Sequence, residues 1–189
     1  MISLTDQGPS TAAEGILSEE RKGWARPRKL LPTDNVEGFS CGKEELDSWL
    51  QRYALVNQRA GMTNVYVSAH EDEIAGFYAL SAGGVDPKDA PPRVLRGVAR
   101  HPVPVIILTR LAVRTELQGQ GLGRLLLRDA LVRTSRAADE IGVRALLLHA
   151  KDPEARSSYM GAAEFEESPT DPLHLMLLMK DLRAALNEN

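Results

Sequence analysis

The sequence predicts an α/β domain: a mixed central sheet flanked by helices. Three observations carry that expectation. The long apolar run Val103 to Val113 is followed by a glycine-rich turn and then by helical periodicity from Leu122. A second, short and continuously apolar run, Ala145 to Ala150, comes after that helix. Strand, helix and strand then fall within about 45 residues, a βαβ unit whose crossover should be right-handed. Upstream, two β-rich runs separated by Glu71-Asp72-Glu73 read as an antiparallel hairpin, which makes the sheet mixed.

Each element follows from a local pattern. Residues 1–30 are polar and rich in small side chains, without sustained periodicity, and read as an N-terminal extension outside a domain of residues 31–189. Leu46, Trp49, Leu50 and Tyr53 recur at i, i+3, i+4 and i+7, one buried stripe on a helix starting near Lys43. The hairpin strands are Val65 to Ser68 and Ile74 to Ser81. Asp86-Pro87 and Ala90-Pro91-Pro92 mark a loop. In the strand Val103 to Val113, Pro104 sits near the start, where a missing N–H is tolerable. Leu122, Leu125, Leu126, Ala130 and Leu131 form the inner face of the next helix. Asp152-Pro153 reads as a helix entry, with Pro at the first helical position, and Leu173 to Lys180 as the last strand.

Composition narrows the class. A chain of 189 residues with a 43% hydrophobic fraction has room for one packed core. No apolar run approaches membrane-spanning length, and the acidic N-terminus does not read as a signal peptide. Cys41 is the single cysteine, which fits a reducing cytoplasm. His70, His101, His149 and His174 are scattered without metal-ligand spacing, so each reads as a surface or sheet residue and no metal is expected. The net charge of -3 gives no global signal for nucleic acid. Locally, Arg93, Arg96, Arg100, Arg110 and Arg114 lie with His101 in a stretch lacking acidic residues. A polyanion such as RNA could use that stretch; a solvated face that also binds cofactor phosphates is the plainer alternative.

The turn Gln118-Gly119-Gln120-Gly121-Leu122-Gly123 is the most specific signal. A strand, a glycine turn and a helix start present unpaired amides at the positive end of a helix dipole, a site for phosphate. The P-loop would need Lys-Ser or Lys-Thr where Arg124-Leu125 stands, and the dinucleotide fingerprint needs a different glycine spacing. Gln118, Gly121 and Gly123 fit Gln-x-x-Gly-x-Gly, which resembles the pyrophosphate loop of the GNAT N-acetyltransferases. The flanks, Thr109 to Val113 and Arg124 to Leu131, match as well, and the resemblance runs from about Phe39 to Leu182. It looks closest to the acetyltransferase toxins of type II toxin–antitoxin pairs. Supporting stretches are Phe39 to Asp47, Gly76 to Ser81 and Ser168 to Leu173.

That resemblance implies a GNAT fold, with splayed parallel strands forming a cleft for acetyl-CoA. It implies that Leu111, Ala112 and Val113 offer backbone groups to the thioester and pantetheine, and that Gln118, Gly119, Gln120, Gly121, Leu122, Gly123 and Arg124 hold the pyrophosphate. It also implies that Tyr159 protonates the leaving sulfur. A tyrosine of pKa about 10 stays protonated at neutral pH and can donate to a thiolate of pKa about 8.5. One departure stands out: Met160-Gly161-Ala162-Ala163-Glu164-Phe165 replaces the subgroup's aromatic-Gly-Phe ending, predicting a shifted helix end or tyrosine register.

Amine acidity bears on the acceptor. A lysine of pKa about 10.4 needs a general base, whereas an α-amine of pKa about 8 is already partly neutral. Glu116 and His149 are the candidates for a base, and each fits a surface or supporting role equally well. The resemblance implies aminoacyl-tRNA as substrate, contacted by Arg93, Arg96, Arg100 and Arg114. It also implies a small DNA-binding antitoxin as partner, and a homodimer. Two other readings stay open: an acetyltransferase for a small amine, peptide or protein lysine, and a degenerate acetyl-CoA-binding module without catalysis.

Overall fold

The hairpin and the two apolar runs build the centre of one mixed sheet in the computed structural model, which describes residues 23–70, 72–98 and 101–187. Along the chain come β1 (Arg28–Lys29), α1 (Glu44–Arg52), α2 (Ala54–Arg59), β2 (Asn64–His70), β3 (Glu73–Val85), α3 (Pro92–Leu95) and β4 (Val103–Val113). They are followed by α4 (Leu122–Glu140), β5 (Ala145–His149), α5 (Pro153–Met160), β6 (Glu166–Glu167), β7 (His174–Leu178) and α6 (Met179–Asn187). The strand order is β1-β2-β3-β4-β5-β7-β6. Among the described residues, β4 and β5 pair in parallel and the other pairs are antiparallel.

Two irregularities of β4 create the site. Its pairing with β3 steps from Ala79↔Arg110 to Leu80↔Leu108, so Thr109 is an extra residue and β4 is bulged there. Its pairing with β5 runs only from Val105↔Ala145 to Leu108↔Leu148. Beyond that bulge β4 continues to Val113 alongside β3 alone, and the two parallel strands part as a fork.

Packing follows the two-residue period of the strands. On one face, Leu122, Leu126 and Ala130 of α4 cover Tyr78, Leu108, Leu146, Leu148 and Leu177. The opposite face is divided: Phe39 and Leu50 pack on Phe77 and Ala79, while Val94 packs with Val103, Val105, Leu147 and Met176. A polar staple fastens α4 to the sheet. The Tyr78 hydroxyl donates to Asp129, and Arg133 bonds Asp129 at 2.8 Å, lies 4.2 Å from the Tyr66 ring centroid and donates to the Pro27 carbonyl. Burial and the Asp129 carboxylate push the Tyr78 hydroxyl far above the usual tyrosine range.

Several elements differ from the sequence reading. Residues 23–30 belong to the fold rather than to an extension ending at residue 30: Trp24 and Leu30 are buried, and β1 pairs with β2 at Arg28↔Val67. An edge strand needs only backbone groups, so it left no periodicity to read; residues 1–22 lie outside the described residues. The helix from Lys43 breaks at Tyr53, which is 53% exposed, and Ala54 is buried in its stead. In α4, Leu127 joins the buried face while Leu125 packs only partly against it. The last strand ends at Leu178, because Leu178 already pairs with Ala145, the first residue of β5. The Met179 N–H then closes on the Arg144 carbonyl, and the chain turns into α6 with Met179 and Leu182 buried.

Candidate active site

The glycine turn supplies backbone donors. Gly119 (φ 74°) and Gly121 (φ 101°) occupy the left-handed region that side chains disfavour by about 1–2 kcal/mol, and Gly121 is the N-cap of α4. The N–H groups of Gly119, Gly121, Leu122 and Gly123 have no hydrogen-bond partner among the described residues. Gly123 is different: a Cβ there would meet only Val113 Cγ2, at an ordinary 3.8 Å. Nothing in the fold demands glycine at 123, but a side chain there would intrude on the cavity it lines.

That cavity, about 790 Å³, runs from the turn into the fork. Its walls include Leu111 of β4, the turn from Gly119 to Gly121, Arg124 and Leu127 of α4, and Ala155, Ser158 and Tyr159 of α5. Arg124 makes no ion pair among the described residues, so its charge faces the cavity uncompensated. A site with unpaired amides, a guanidinium without an ion-pair partner among the described residues and a glycine that leaves the cavity open at 123 fits a diphosphate. Leu122 is fully buried, so only its N–H can contribute.

Gln118 does something other than face a ligand. Its side-chain amide donates to the Cys41 and Val113 carbonyls, both at 3.0 Å, tying the end of β4 to the loop before α1. This contact also reveals the polarity of β4. The Arg114 N–H donates to the Ala75 carbonyl, so Arg114, Ala112 and Arg110 direct their backbone groups at β3. Leu111 and Val113 alternate with them and point to the open side of the fork, where Gln118 takes the Val113 carbonyl. Leu111 and Val113 therefore have N–H groups to offer a thioester, whereas that of Ala112 is turned toward the sheet.

Tyr159 is on the cavity wall in the last turn of α5. The helix starts as its sequence predicts, with the Asp152 carboxylate accepting from the Ala155 N–H at 2.8 Å. Its unusual ending is absorbed locally. Gly161 is the C-cap, and Phe165, buried, meets the Tyr159 ring edge-on with centroids 6.3 Å apart. The Tyr159 hydroxyl has no hydrogen bond among the described residues, and burial raises its pKa above the usual tyrosine value.

Among the described residues of the arginine stretch, two are paired within the fold. Arg93 is held by Glu166 at 2.7 Å and Asp181 at 2.9 Å. Arg114 pairs with Glu73 at 2.8 Å and donates to the Ile74 carbonyl. Both were expected to contact RNA; each guanidinium is engaged within the fold by acidic or carbonyl partners from distant segments. Arg96 is exposed, and Arg100 lies outside the described residues.

Other groups gather at the fork that the sequence kept apart. His149, at the end of β5, pairs with His174 of β7, and their rings stack with centroids 3.9 Å apart. His174 Nε2 is 3.3 Å from Asp171 Oδ2. Arg110 lies 5.5 Å from the Trp49 ring centroid, and its Nε is buried without a hydrogen-bond partner among the described residues. Lys43 and Lys151 face each other closely enough to perturb one another's ionisation. No spacing in the sequence signals this group; only the β5–β7 register could have. Among the described residues no three His, Cys, Asp or Glu side chains converge as a metal set, and no helix is long and apolar enough to cross a membrane.

Comparison with known proteins agrees with this geometry. The chain is 49% identical over 166 residues to the tRNA-acetylating toxin of Mycobacterium tuberculosis (strain ATCC 25618 / H37Rv), covering 88% of this chain and 99% of that one. Its fold is similar to AtaT complexed with acetyl-methionyl-tRNAfMet (TM-score 0.78, 20% identity, 86% of this chain and 99% of that chain). It is also similar to a KacTA–DNA complex (TM-score 0.72, 21% identity, 88% and 99%). The pattern of the Acetyltransferase (GNAT) family matches residues 25–161, which take in the bulged strand, the amide-lined turn and Tyr159. The chain belongs to the GNAT family and is an N-acetyltransferase that uses acetyl-CoA.

Proposed function

We propose that this acetyltransferase is a toxin that acetylates the α-amino group of the amino acid carried by charged tRNA, blocking its use in translation. The observation that carries the reading is the likeness to the mycobacterial tRNA-acetylating toxin, which extends over almost the whole of both chains. The chemistry supports it, because an α-amine of pKa about 8 is partly neutral at cytoplasmic pH and needs less help than a lysine. Substrate and setting make the protein cytoplasmic. A small DNA-binding antitoxin is the partner, by analogy with the KacTA–DNA complex, and a homodimer is part of the same reading.

Within the site, the amides from Gly119 to Gly123 and the Arg124 guanidinium hold the pyrophosphate of acetyl-CoA. The N–H groups of Leu111 and Val113 take the pantetheine and the thioester oxygen as it gains negative charge. Tyr159 gives its proton to the departing sulfur. Arg96 and the Lys43–Lys151 pair at the fork supply phosphate contacts, which makes binding of the RNA strongly salt-dependent.

Mass spectrometry of total charged tRNA, incubated with the protein and acetyl-CoA, tests the reading. N-acetyl-aminoacyl-tRNA formed by the wild type and largely lost in Tyr159→Phe is the expected result. Transfer to free amines alone would move the protein to small-amine chemistry. Cofactor binding with no transfer would make it a binding module.

A further inference from the structure

We propose that His149 is the proton acceptor for the attacking α-amine, working from the face of the sheet opposite Tyr159. The inference rests on the substrate reading above and deepens it.

Position is the first argument. His149 is the β5 residue immediately past Leu108↔Leu148, the last pair before the strands part. Alternation places its ring on the face of Leu147, which packs with Val94 and Met176, and away from α4. Arg110 lies on that same face, over Trp49 of α1. Tyr159 packs with the α4-side cluster. The two proton-handling side chains thus flank the fork from opposite faces, as a reaction needs when one proton leaves the nucleophile and another reaches the leaving group.

Protonation state is the second. The charged groups bearing on His149 are His174 of β7, Asp171 of the turn before it and Arg110 of β4. Burial, then the His174 ring and Arg110, lower its pKa, while Asp171 opposes them. The ring is therefore neutral, with a lone pair available, at cytoplasmic pH. The Arg110 guanidinium has no carboxylate partner among the described residues, and it disfavours a charged ammonium beside it. His149 is also exposed at the fork, where an incoming acceptor can reach it.

The step balances. The amine nitrogen forms a bond to the acetyl carbon and the carbon–sulfur bond breaks. Tyr159 protonates the sulfur, and the proton shed by the nitrogen goes to the His149 ring. Its return through solvent to the tyrosinate restores both side chains.

The test compares wild type with His149→Gln, using total charged tRNA and acetyl-CoA from pH 5.5 to 9, with acetyl-CoA affinity measured by calorimetry. Loss of the base costs about 10²-fold in kcat/KM at neutral pH, with acetyl-CoA binding unchanged. In the wild type, log kcat/KM falls with a slope of about one as the amine protonates, steepening to about two below the His149 pKa; in His149→Gln the slope stays at about one. Ring titration of His149 by NMR in the free wild-type protein must place that pKa below the ordinary value of about 6.5, where the slope changes. A His149→Gln protein with wild-type rate and profile, or a ring titrating elsewhere, overturns the inference alone. A wild type that acetylates no charged tRNA overturns the substrate reading and, with it, the inference written for that substrate.

Discussion

On one face of the fork, the donors for a diphosphate come from one short stretch, the backbone of Gly119 to Gly123 and the adjoining Arg124 guanidinium. On the other, Arg110, His149, His174 and Asp171 arrive from β4, β5, β7 and the turn before β7, and all act through side chains. The first depends on φ angles that glycine spacing specifies locally. The second depends on strand register, which is settled only when the whole sheet assembles. A ligand grip of the first kind can be read from a hexapeptide, whereas a pocket of the second kind needs the fold.

The sharpest way to probe the contrast is to remove the proposed proton donor on the α4 side of the fork. Tyr159→Phe keeps the ring contact with Phe165 and loses only the hydroxyl, so folding and acetyl-CoA binding should be preserved. Single-turnover transfer should fall about 10²- to 10³-fold. A fall below tenfold would show that solvent protonates the sulfur and that the fork needs no acid.

Gly121→Val attacks the backbone side. The left-handed N-cap would cost about 1–2 kcal/mol in strain, and the first-turn amides would rotate away from the cavity. Acetyl-CoA affinity should drop by about tenfold or more by calorimetry, with Kd for charged tRNA changed by less than about twofold. Equal losses in both affinities would erase the distinction between the two faces.

What the sequence disclosed follows the same division. The ends of β4, the start of α4 at Leu122 and the Asp152 cap were legible because each has a local cause: an apolar run, a glycine, a capping carboxylate. The fork was legible only through the family resemblance, which implied splayed parallel strands; no local pattern marks it, since the bulge at Thr109 looks like any threonine in a strand. The ion pairs of the arginine stretch were hidden for a related reason. Its charges are consecutive in sequence, but β4 and α3 deliver Arg114 and Arg93 to carboxylates from other segments. Gln118 belonged to the motif, yet its amide is spent on the Cys41 and Val113 carbonyls.

Gln118→Ala tests whether that clasp serves the site or only the fold. Losing two hydrogen bonds near the surface should cost about 1 kcal/mol of stability by urea unfolding, the deleted side chain leaving no charge behind. Freed from it, the end of β4 would hold its outward amides less firmly, and kcat should fall about three- to tenfold. An unchanged kcat with the same loss of stability would confine Gln118 to architecture.

Arg93→Ala carries the smallest expected effect and bears most directly on the basic stretch. Arg93 bridges Glu166 of β6 and Asp181 of α6, and its side chain is 42% exposed, so water screens both pairs. Removal should lower Tm only slightly and leave acetylation of charged tRNA within about twofold of wild type. The salt dependence of RNA binding should not change, because a guanidinium already neutralised by two carboxylates displaces no counterion from a phosphate. Lys43→Ala, by contrast, removes an exposed cation at the fork, and the slope of log Kd against log salt should shrink by about one. If Arg93→Ala reduced that slope instead, its ion pairs would have to open when RNA binds, and the stretch read from sequence would be an RNA surface after all.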